Sequence, residues 1–135
     1  MSKTIFKVRA VIVHGGKLLV VRKITPDNRL EYIIPGGRKK GHETHQETLV
    51  RELREELGVE LVDMGHFGSF DETAIFENVP LHMEVYVVTT RGAFQPRSEV
   101  KEYAWIDRNY EAQGIKLGSV LARHVVPELV SRGLM

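Results

Sequence analysis

The stretch from Gly36 to Val59, GGRKKGHETHQETLVRELREELGV, begins as a glycine-rich turn and continues as a helix rich in carboxylates. Thr44 and Glu47 have the spacing of a capping box, in which Thr44 is the N-cap and the Glu47 side chain reaches back to its amide. Good helix formers follow, and Gly58 stands where a glycine commonly ends a helix. The sequence therefore predicts a helix between Thr44 and Gly58.

Apolar and acidic side chains occupy separate faces of this helix. With a helical rotation of about 100° per residue, one stripe should face a core; it comprises Leu49, Val50, Leu53 and Leu57. A different face carries carboxylates spaced i, i+3, i+4, namely Glu52, Glu55 and Glu56. Like charges at this spacing repel one another and destabilise an isolated helix. A divalent cation bound by these carboxylates would offset their repulsion, so the face could be a metal-binding site. Mg²⁺ binds carboxylates together with substrate phosphates.

A solvated face is the ordinary explanation for charged residues on a helix, but the spacing here follows a longer pattern. Gly37 precedes Glu43 by five intervening residues, and seven more separate Glu43 from the run RELREELGV at 51–59. This pattern resembles the signature of the Nudix hydrolases at every fixed position, and it is far more specific than a lone glycine motif. The resemblance implies an α/β fold, an α/β/α sandwich with a mixed β-sheet between helices. It also implies hydrolysis of a nucleoside diphosphate linked to another group, with Mg²⁺ or Mn²⁺.

The resemblance further implies roles for individual residues of the motif. Glu55 and Glu56 are the expected primary metal ligands, together with the carbonyl oxygen of Gly36. Glu52 shares their face and is expected either to bind metal or to act as the general base. Other residues of the motif are expected to support the loop and the helix without taking part in the chemistry: Gly37, Glu43, Arg51 and Gly58.

Basic residues near the motif are candidates for substrate binding. Arg22 closes a predicted strand, at a place where Nudix hydrolases often bring a basic residue to the substrate. Lys39 and Lys40 lie in the glycine-rich loop, and lysine and arginine pair well with phosphate oxygens. A solvated run of surface charge is the alternative for these residues.

A carboxylate from outside the helix would close the other side of a metal site. The acidic candidates are Asp71, Glu72, Glu77, Glu99 and Glu102. Nudix hydrolases often place an additional glutamate in a loop, and Glu99 stands where the loop at 92–98 meets the next strand. We therefore expect Glu99 to be a metal ligand or the base. Glu102 is the second choice, because strand alternation places it opposite Tyr103 and Trp105.

Length and composition bound the remaining possibilities. The 135 residues suffice for one domain with its own core, so we expect residues 1–135 to form a single Nudix domain. The net charge of +1 gives no global field to attract polymeric nucleic acid. The chain has no cysteine, which excludes disulfides and fits the cytoplasm. No apolar run suits a signal peptide or a membrane span. The expected partners are a small nucleotide and, as an open possibility, a second copy in a homodimer.

Apolar patterning predicts the other elements. Residues 6–14 and 17–22 form strands joined by a Gly15-Gly16 turn, and a short strand covers 30–35. Further strands cover 60–70, 81–90 and 99–106, with a polar loop from Asp71 to Pro80 between two antiparallel partners. Ser119 is the expected N-cap of a helix at 120–132, which Pro127 should kink or divide.

Other protein classes compete with a hydrolase. A Nudix-like module that binds nucleotides without hydrolysing them would be expected to lose signature carboxylates, and none is lost here. Isopentenyl diphosphate isomerases share the fold but add cysteine-dependent chemistry, against which the absence of cysteine counts. A role in RNA decapping is disfavoured by the short chain and its charge. Among hydrolase substrates, size and layout favour nucleoside triphosphates, with damaged nucleotides, nucleotide sugars and dinucleoside polyphosphates left open.

Overall fold

The computed structural model describes residues 4–26, 30–74 and 79–135. The strands in these ranges are β1 Ile5–Val11, β2 Val13–His14, β3 Lys17–Lys23, β4 Gly36–Arg38, β5 Glu60–Ala74, β6 Val79–Arg91 and β7 Val100–Ile106. Helix α1 spans His45–Leu57, and the C-terminal helix consists of a π-helical part, Leu121–Val125, followed by α2, Val126–Ser131. No helix within this described part of the chain is long and apolar enough to cross a membrane.

The strands form a mixed sheet and a smaller antiparallel one. The mixed sheet has the order β4-β1-β6-β5, in which β1 and β6 are parallel and the other neighbours are antiparallel. The second sheet has the order β2-β3-β7. The predicted α/β class with a mixed sheet is confirmed, and the structure adds the division into two sheets.

Alternation along β3 sends side chains into two separate cores. Leu19 and Val21 pack in the core that contains the apolar face of α1, with Leu49, Leu53 and Leu57 fully buried. Leu18 and Val20 pack in the core that contains the C-terminal helix, because successive strand side chains point to opposite faces. The sheets therefore lie between α1 and the C-terminal helix, as the sandwich requires.

Both ends of helix α1 lie where the sequence predicts them. The Thr44 hydroxyl accepts from the Glu47 N–H at 3.1 Å, and the Glu47 carboxylate accepts from the Thr44 N–H at 2.9 Å. Gly58 ends the helix with φ 67°, and its N–H donates to the Arg54 carbonyl. The predicted capping box and C-terminal glycine are both confirmed. The Gly15-Gly16 turn is confirmed as well, with φ of 58° and 76°.

Other sequence-based predictions are wrong in detail. The polar segment from Asp71 to Pro80 continues the β5–β6 hairpin through the Ala74 and Val79 pair, because polar side chains such as Asp71 and His82 bond across the ladder at 2.7 Å. Residues 75–78, which include the candidate Glu77, lie outside the described residues. In place of a strand at 30–35, Tyr32 and Ile33 make isolated bridges to Leu117 and Val21.

The C-terminal helix differs from its prediction at its start, whereas the predicted division near Pro127 is present. The Ser119 hydroxyl donates to Glu72 Oε2 at 2.8 Å and does not cap the helix. The irregular part is the π-helical turn at Leu121–Val125, which precedes Pro127. Pro127 itself lies in the first turn of α2, directly after this π-helical turn.

Candidate active site

A cleft of about 1080 Å³ opens between α1, the ends of β3 and β4, and the C-terminal segment. Its charged lining includes Lys7, Arg9, Lys23, Glu31, Arg38, Lys40, Arg51, Glu52, Glu55, Glu56, Glu99 and Arg123. Ile33, Leu117 and Ala122 contribute apolar surface. The cleft thus combines carboxylates, cations and a smaller apolar portion.

Glu56 is the most buried of the three helix carboxylates, with its side chain 5% exposed. Its Oε1 lies 2.8 Å from the Lys23 ammonium, and its Oε2 accepts from the Gly36 N–H at 3.3 Å. Burial raises the pKa of Glu56, while the charge of Lys23 acts in the opposite direction. Helix α1 therefore presents a carboxylate that is desolvated and fixed through both oxygens.

Gly36 faces two cationic side chains through its carbonyl oxygen. Lys23 Nζ donates to this oxygen at 3.0 Å, and Arg9 Nη1 donates to it at 3.4 Å. The backbone of Gly36 has φ 134°, and an added Cβ would lie 2.3 Å from the Val8 oxygen. Only glycine fits where β4 meets β1, and this conformation turns the carbonyl toward the cations.

Arg51 connects the glycine-rich loop to α1. Its Nε and Nη2 donate to the two oxygens of Glu43 at 2.7 and 2.9 Å, and Nη2 also donates to the Arg38 carbonyl at 3.0 Å. The hydrogen bonds from Arg51, followed by that from the Lys40 amide, lower the pKa of Glu43 to about 2. Arg51 Nη1 reaches Glu52 Oε1 at 2.8 Å, so one guanidinium orients both loop and helix carboxylates.

The two other motif glycines have distinct reasons to lack a side chain. A Cβ on Gly37 would lie 2.6 Å from Glu52 Oε1, in the space that this carboxylate fills. Gly58 has a positive φ, and a Cβ there would also lie 2.7 Å from the Arg97 guanidinium carbon. Gly37 thus leaves space for the Glu52 carboxylate, whereas Gly58 adopts the left-handed conformation that ends the helix.

The other predicted site residues are divided between the cleft and its surroundings. Glu52, Glu55, Glu99 and Lys40 line the cleft together with Glu56. Arg22 does not line it, because its Nε donates to Glu102 at 2.9 Å. The Lys39 ammonium also lies apart from the cleft lining and donates to the Gly41 carbonyl at 2.9 Å.

Glu102 belongs to a polar cluster beside the cleft. Its Oε1 accepts from the Tyr32 hydroxyl at 2.6 Å and from Arg22 Nε at 2.9 Å. These hydrogen bonds, Tyr32 first, lower the pKa of Glu102. Tyr32 also bonds through its backbone to residues 116 and 118, next to Leu117 in the cleft wall. Glu102 therefore holds a segment of the cleft wall, whereas Glu99 lines the cleft itself, as does Glu31.

The helix carboxylates are each paired with a cation. Lys23 pairs with Glu56, while Arg51 lies 2.8 Å from Glu52 and 3.6 Å from Glu55. Across the described ranges, no three His, Cys, Asp or Glu side chains are already grouped to hold a metal ion. The donor set nevertheless suits Mg²⁺ or Mn²⁺, which favour carboxylate and carbonyl oxygens. The Lys23 ammonium bridges one such carboxylate and one such carbonyl, so these two oxygens already face a common cation.

The two cationic residues that contact the Gly36 carbonyl, Lys23 and Arg9, are not predicted from the sequence. Arg9 is a lone arginine in an apolar strand and is 5% exposed, a pattern that could have marked it as a buried polar contact. Lys23 follows Arg22 directly, and alternation places adjacent side chains on opposite faces. That alternation could have separated the residue facing the cleft from the one facing Glu102.

Comparisons with known proteins agree with this arrangement. The NUDIX domain family matches residues 5–124. A Mycobacterium tuberculosis protein named "Putative 8-oxo-dGTP diphosphatase 2" is 38% identical over 58 residues, which are 42% of this chain and 41% of that protein. The aligned region thus spans well under half of this relative.

Solved structures extend the likeness over nearly the whole chain. The ORF135 protein of E. coli has a TM-score of 0.75 and 27% identity, covering 98% of this chain and 90% of its own. The NUDIX hydrolase from Nitrosomonas europaea has a TM-score of 0.81 at 18% identity, covering 98% and 91%. The MutT protein from Methanosarcina mazei has a TM-score of 0.79 at 20% identity, covering 99% and 98%. These last two similarities concern the fold alone, whereas the family match covers the strands, α1 and the cleft: the chain belongs to the NUDIX domain family.

Proposed function

We propose that this protein is a metal-dependent nucleotide pyrophosphohydrolase that converts a nucleoside triphosphate into a nucleoside monophosphate and pyrophosphate. The observation that carries this proposal is the meeting of Glu52, Glu55 and Glu56 in a single cleft. The Gly36 carbonyl joins Glu56 there through a shared cationic contact. Membership of the NUDIX family supports the same chemistry.

Mg²⁺ or Mn²⁺ would be held by Glu52, Glu55 and Glu56 with the Gly36 carbonyl, and by Glu99 from the facing segment. The metal would neutralise phosphate charge and lower the pKa of an attacking water. Glu56 is oriented for this role by the Gly36 N–H and by burial, and Glu52 by Arg51. Fixed carboxylates of this kind need no rearrangement of the helix to meet a cation.

The remaining residues of the cleft would bind and position the substrate. Lys40 and Arg123 add positive charge to the lining, which suits the oxygens of a polyphosphate. Glu52 and Glu99 are the candidates for the general base, because both carboxylates face the same cleft. Ile33, Leu117 and Ala122 offer apolar surface that a nucleobase could contact.

The substrate class is supported by the relative named as an 8-oxo-dGTP diphosphatase, so we include that damaged nucleotide beside the ordinary triphosphates. Nucleotide sugars and dinucleoside polyphosphates are the alternative substrates, and a non-hydrolysing nucleotide-binding module is the alternative function. We further propose a single catalytic domain, a cytoplasmic location and, if the chain associates, a homodimer.

The test is a panel of nucleoside triphosphates, 8-oxo-dGTP, nucleotide sugars and dinucleoside polyphosphates, each with Mg²⁺ or Mn²⁺. Added inorganic pyrophosphatase converts released pyrophosphate to phosphate, which malachite green detects, and chromatography identifies the nucleotide product. We expect monophosphate release that EDTA abolishes. Nucleotide binding without turnover across the whole panel would refute hydrolysis and favour the alternative function, a non-hydrolysing nucleotide-binding module.

A further inference from the structure

Lys23 makes its contacts with two of the oxygen donors proposed above for the metal ion. Its Nζ lies 2.8 Å from Glu56 Oε1 and donates to the Gly36 carbonyl at 3.0 Å. Glu56 Oε2 is already engaged by the Gly36 N–H. Oε1 is therefore the Glu56 oxygen that faces a cation, and the ammonium lies against it.

A divalent ion held between these two oxygens would compete with the ammonium for them. Oxygen ligands lie roughly 2.0–2.1 Å from a bound Mg²⁺, closer than the present Nζ contacts of 2.8 and 3.0 Å. A metal held by Glu56 Oε1 and Gly36 on the side that faces the ammonium would therefore crowd Nζ. Two cations at that separation would also repel strongly in a poorly solvated site. One of them must leave.

The surroundings indicate which cation can move. Arg9 is 5% exposed and also donates to the Ile34 carbonyl at 2.9 Å, which fixes it behind Gly36. Lys23 lies at the end of β3 next to a register shift, and its side chain is 18% exposed. A lysine side chain is flexible and holds its charge at the tip, so Lys23 can withdraw its ammonium while Arg9 stays in place.

We infer that Lys23 is a displaceable counter-cation: its ammonium and the catalytic metal ion compete for Glu56 Oε1 and the Gly36 carbonyl, and metal binding releases Lys23 from both. This inference rests on the proposed metal site. Without metal, the ammonium neutralises a carboxylate whose burial unpaired would be costly. With metal, the same residue lowers the apparent metal affinity, because binding must first break its contacts.

The first test measures metal binding directly, without substrate. Mn²⁺ is titrated by calorimetry at pH 8 into the parent, Lys23→Met, Lys40→Met and Glu56→Gln proteins. Lys23→Met removes the competitor and should tighten Mn²⁺ binding by about tenfold or more. Lys40→Met removes an equal charge from the same cleft, so it controls for a general electrostatic effect. Its affinity should change much less than that of Lys23→Met.

The second test uses the unaltered protein and so does not depend on the variant folding. Limited acetylation of lysines, read by mass spectrometry, is compared in EDTA and in saturating Mn²⁺. Lys23 should become severalfold more reactive with Mn²⁺, because its ammonium is released from two acceptors. Lys101, which is exposed on β7, should keep its reactivity and serves as the internal control.

The outcomes separate this inference from the proposed metal site. If Glu56→Gln binds Mn²⁺ as the parent does, the metal site itself is misplaced and both proposals fail. If Glu56→Gln loses binding while Lys23→Met binds no tighter than Lys40→Met, the competition is refuted and the metal site stands. Equal or greater protection of Lys23 with Mn²⁺ would likewise overturn the displacement.

Discussion

Arg51 and Glu43 form a bidentate ion pair, with Nε 2.7 Å from Oε2 and Nη2 2.9 Å from Oε1. The pair spans eight residues of chain and joins the glycine-rich loop to the middle of α1. Because the same guanidinium reaches Glu52 at 2.8 Å, the position of a carboxylate in the cleft depends on an arginine that is itself held by Glu43.

We predict that Arg51→Ala lowers both activity and stability. Loss of outer partners of this kind typically costs roughly 10- to 100-fold in activity or metal affinity, and the loop also loses its anchor on the helix. Turnover at saturating Mg²⁺ and urea unfolding in EDTA measure the two effects. Arg51→Lys keeps the charge without the planar fork, so it should fall between the parent and Arg51→Ala. An unchanged unfolding curve for Arg51→Ala would remove the bracing role.

The same pair predicts a specific loss of stability in acid. The pKa of Glu43 is lowered from 4.5 to about 2 in the folded protein, so the ionised carboxylate stabilises the fold fully above pH 4.5. This contribution is lost as the pH falls from 4.5 towards 2. Urea midpoints measured across that window should fall more steeply for the parent than for Glu43→Gln. Parallel profiles would show that Glu43 has no such pKa shift.

Local contacts explain why α1 and its ends could be predicted from the sequence. A capping box joins residues three apart, and the Gly58 cap is formed within the last helical turn. Both caps therefore depend on residues that are close together in the sequence. The apolar stripe of α1 likewise follows from helical periodicity, although Val50 is only partly buried. Each of these features depends on the sequence within a few residues of it.

Contacts between distant strands explain what could not be predicted. Lys23 meets Gly36 across thirteen residues, and the bridge between Val21 and Ile33 connects their two segments. Arg22 meets Glu102 because the β3–β7 register sets them opposite each other. Strand alternation gives the face of each side chain, but it does not give the partner across the sheet. The sequence therefore identifies the acidic face of the site better than its cations.

Glu56→Gln should separate catalysis from folding. We expect activity to fall by about 100-fold or more, beyond the usual cost of losing an outer partner. Burial raises the pKa of Glu56, so the ionised carboxylate costs stability at pH values above its folded pKa, and the neutral amide avoids that cost. Unfolding in EDTA at pH 8 should show the variant at least as stable as the parent. Glu111→Gln, an exposed carboxylate outside the cleft, is the matched control and should retain activity.

Two neighbouring lysines should differ in their effect on substrate binding. Lys40 lines the cleft, whereas the Lys39 ammonium bonds to the Gly41 carbonyl outside the lining. Lys40→Ala should raise the KM for a nucleoside triphosphate by roughly 3- to 10-fold, through loss of a charged phosphate contact. Lys39→Ala should leave KM within about twofold of the parent, since the Lys39 ammonium bonds to the Gly41 carbonyl and does not line the cleft. Equal KM values in the two variants would exclude Lys40 from the phosphate-binding set.

The facing glutamates provide the last distinction. Glu99 is exposed and lines the cleft, whereas Glu102 accepts from Tyr32 and Arg22. Glu99→Gln should lower kcat at saturating Mg²⁺ by about 100-fold or more, as for loss of a general base, and should leave the unfolding curve unchanged. Glu102→Gln weakens the hydrogen bonds of a charged acceptor, so it should reduce stability. It should also raise KM, because Tyr32 would hold the cleft wall near Leu117 less firmly.

Tyr32→Phe removes the hydroxyl donor alone and separates these roles. It should reproduce the KM increase of Glu102→Gln without the kcat loss of Glu99→Gln. A large loss of kcat in Glu102→Gln, with none in Glu99→Gln, would show that Glu102, and not Glu99, takes part in catalysis. In that case the carboxylate held 2.6 Å from the Tyr32 hydroxyl would have to leave its present partners to serve the reaction, and Tyr32→Phe should then raise kcat by freeing it.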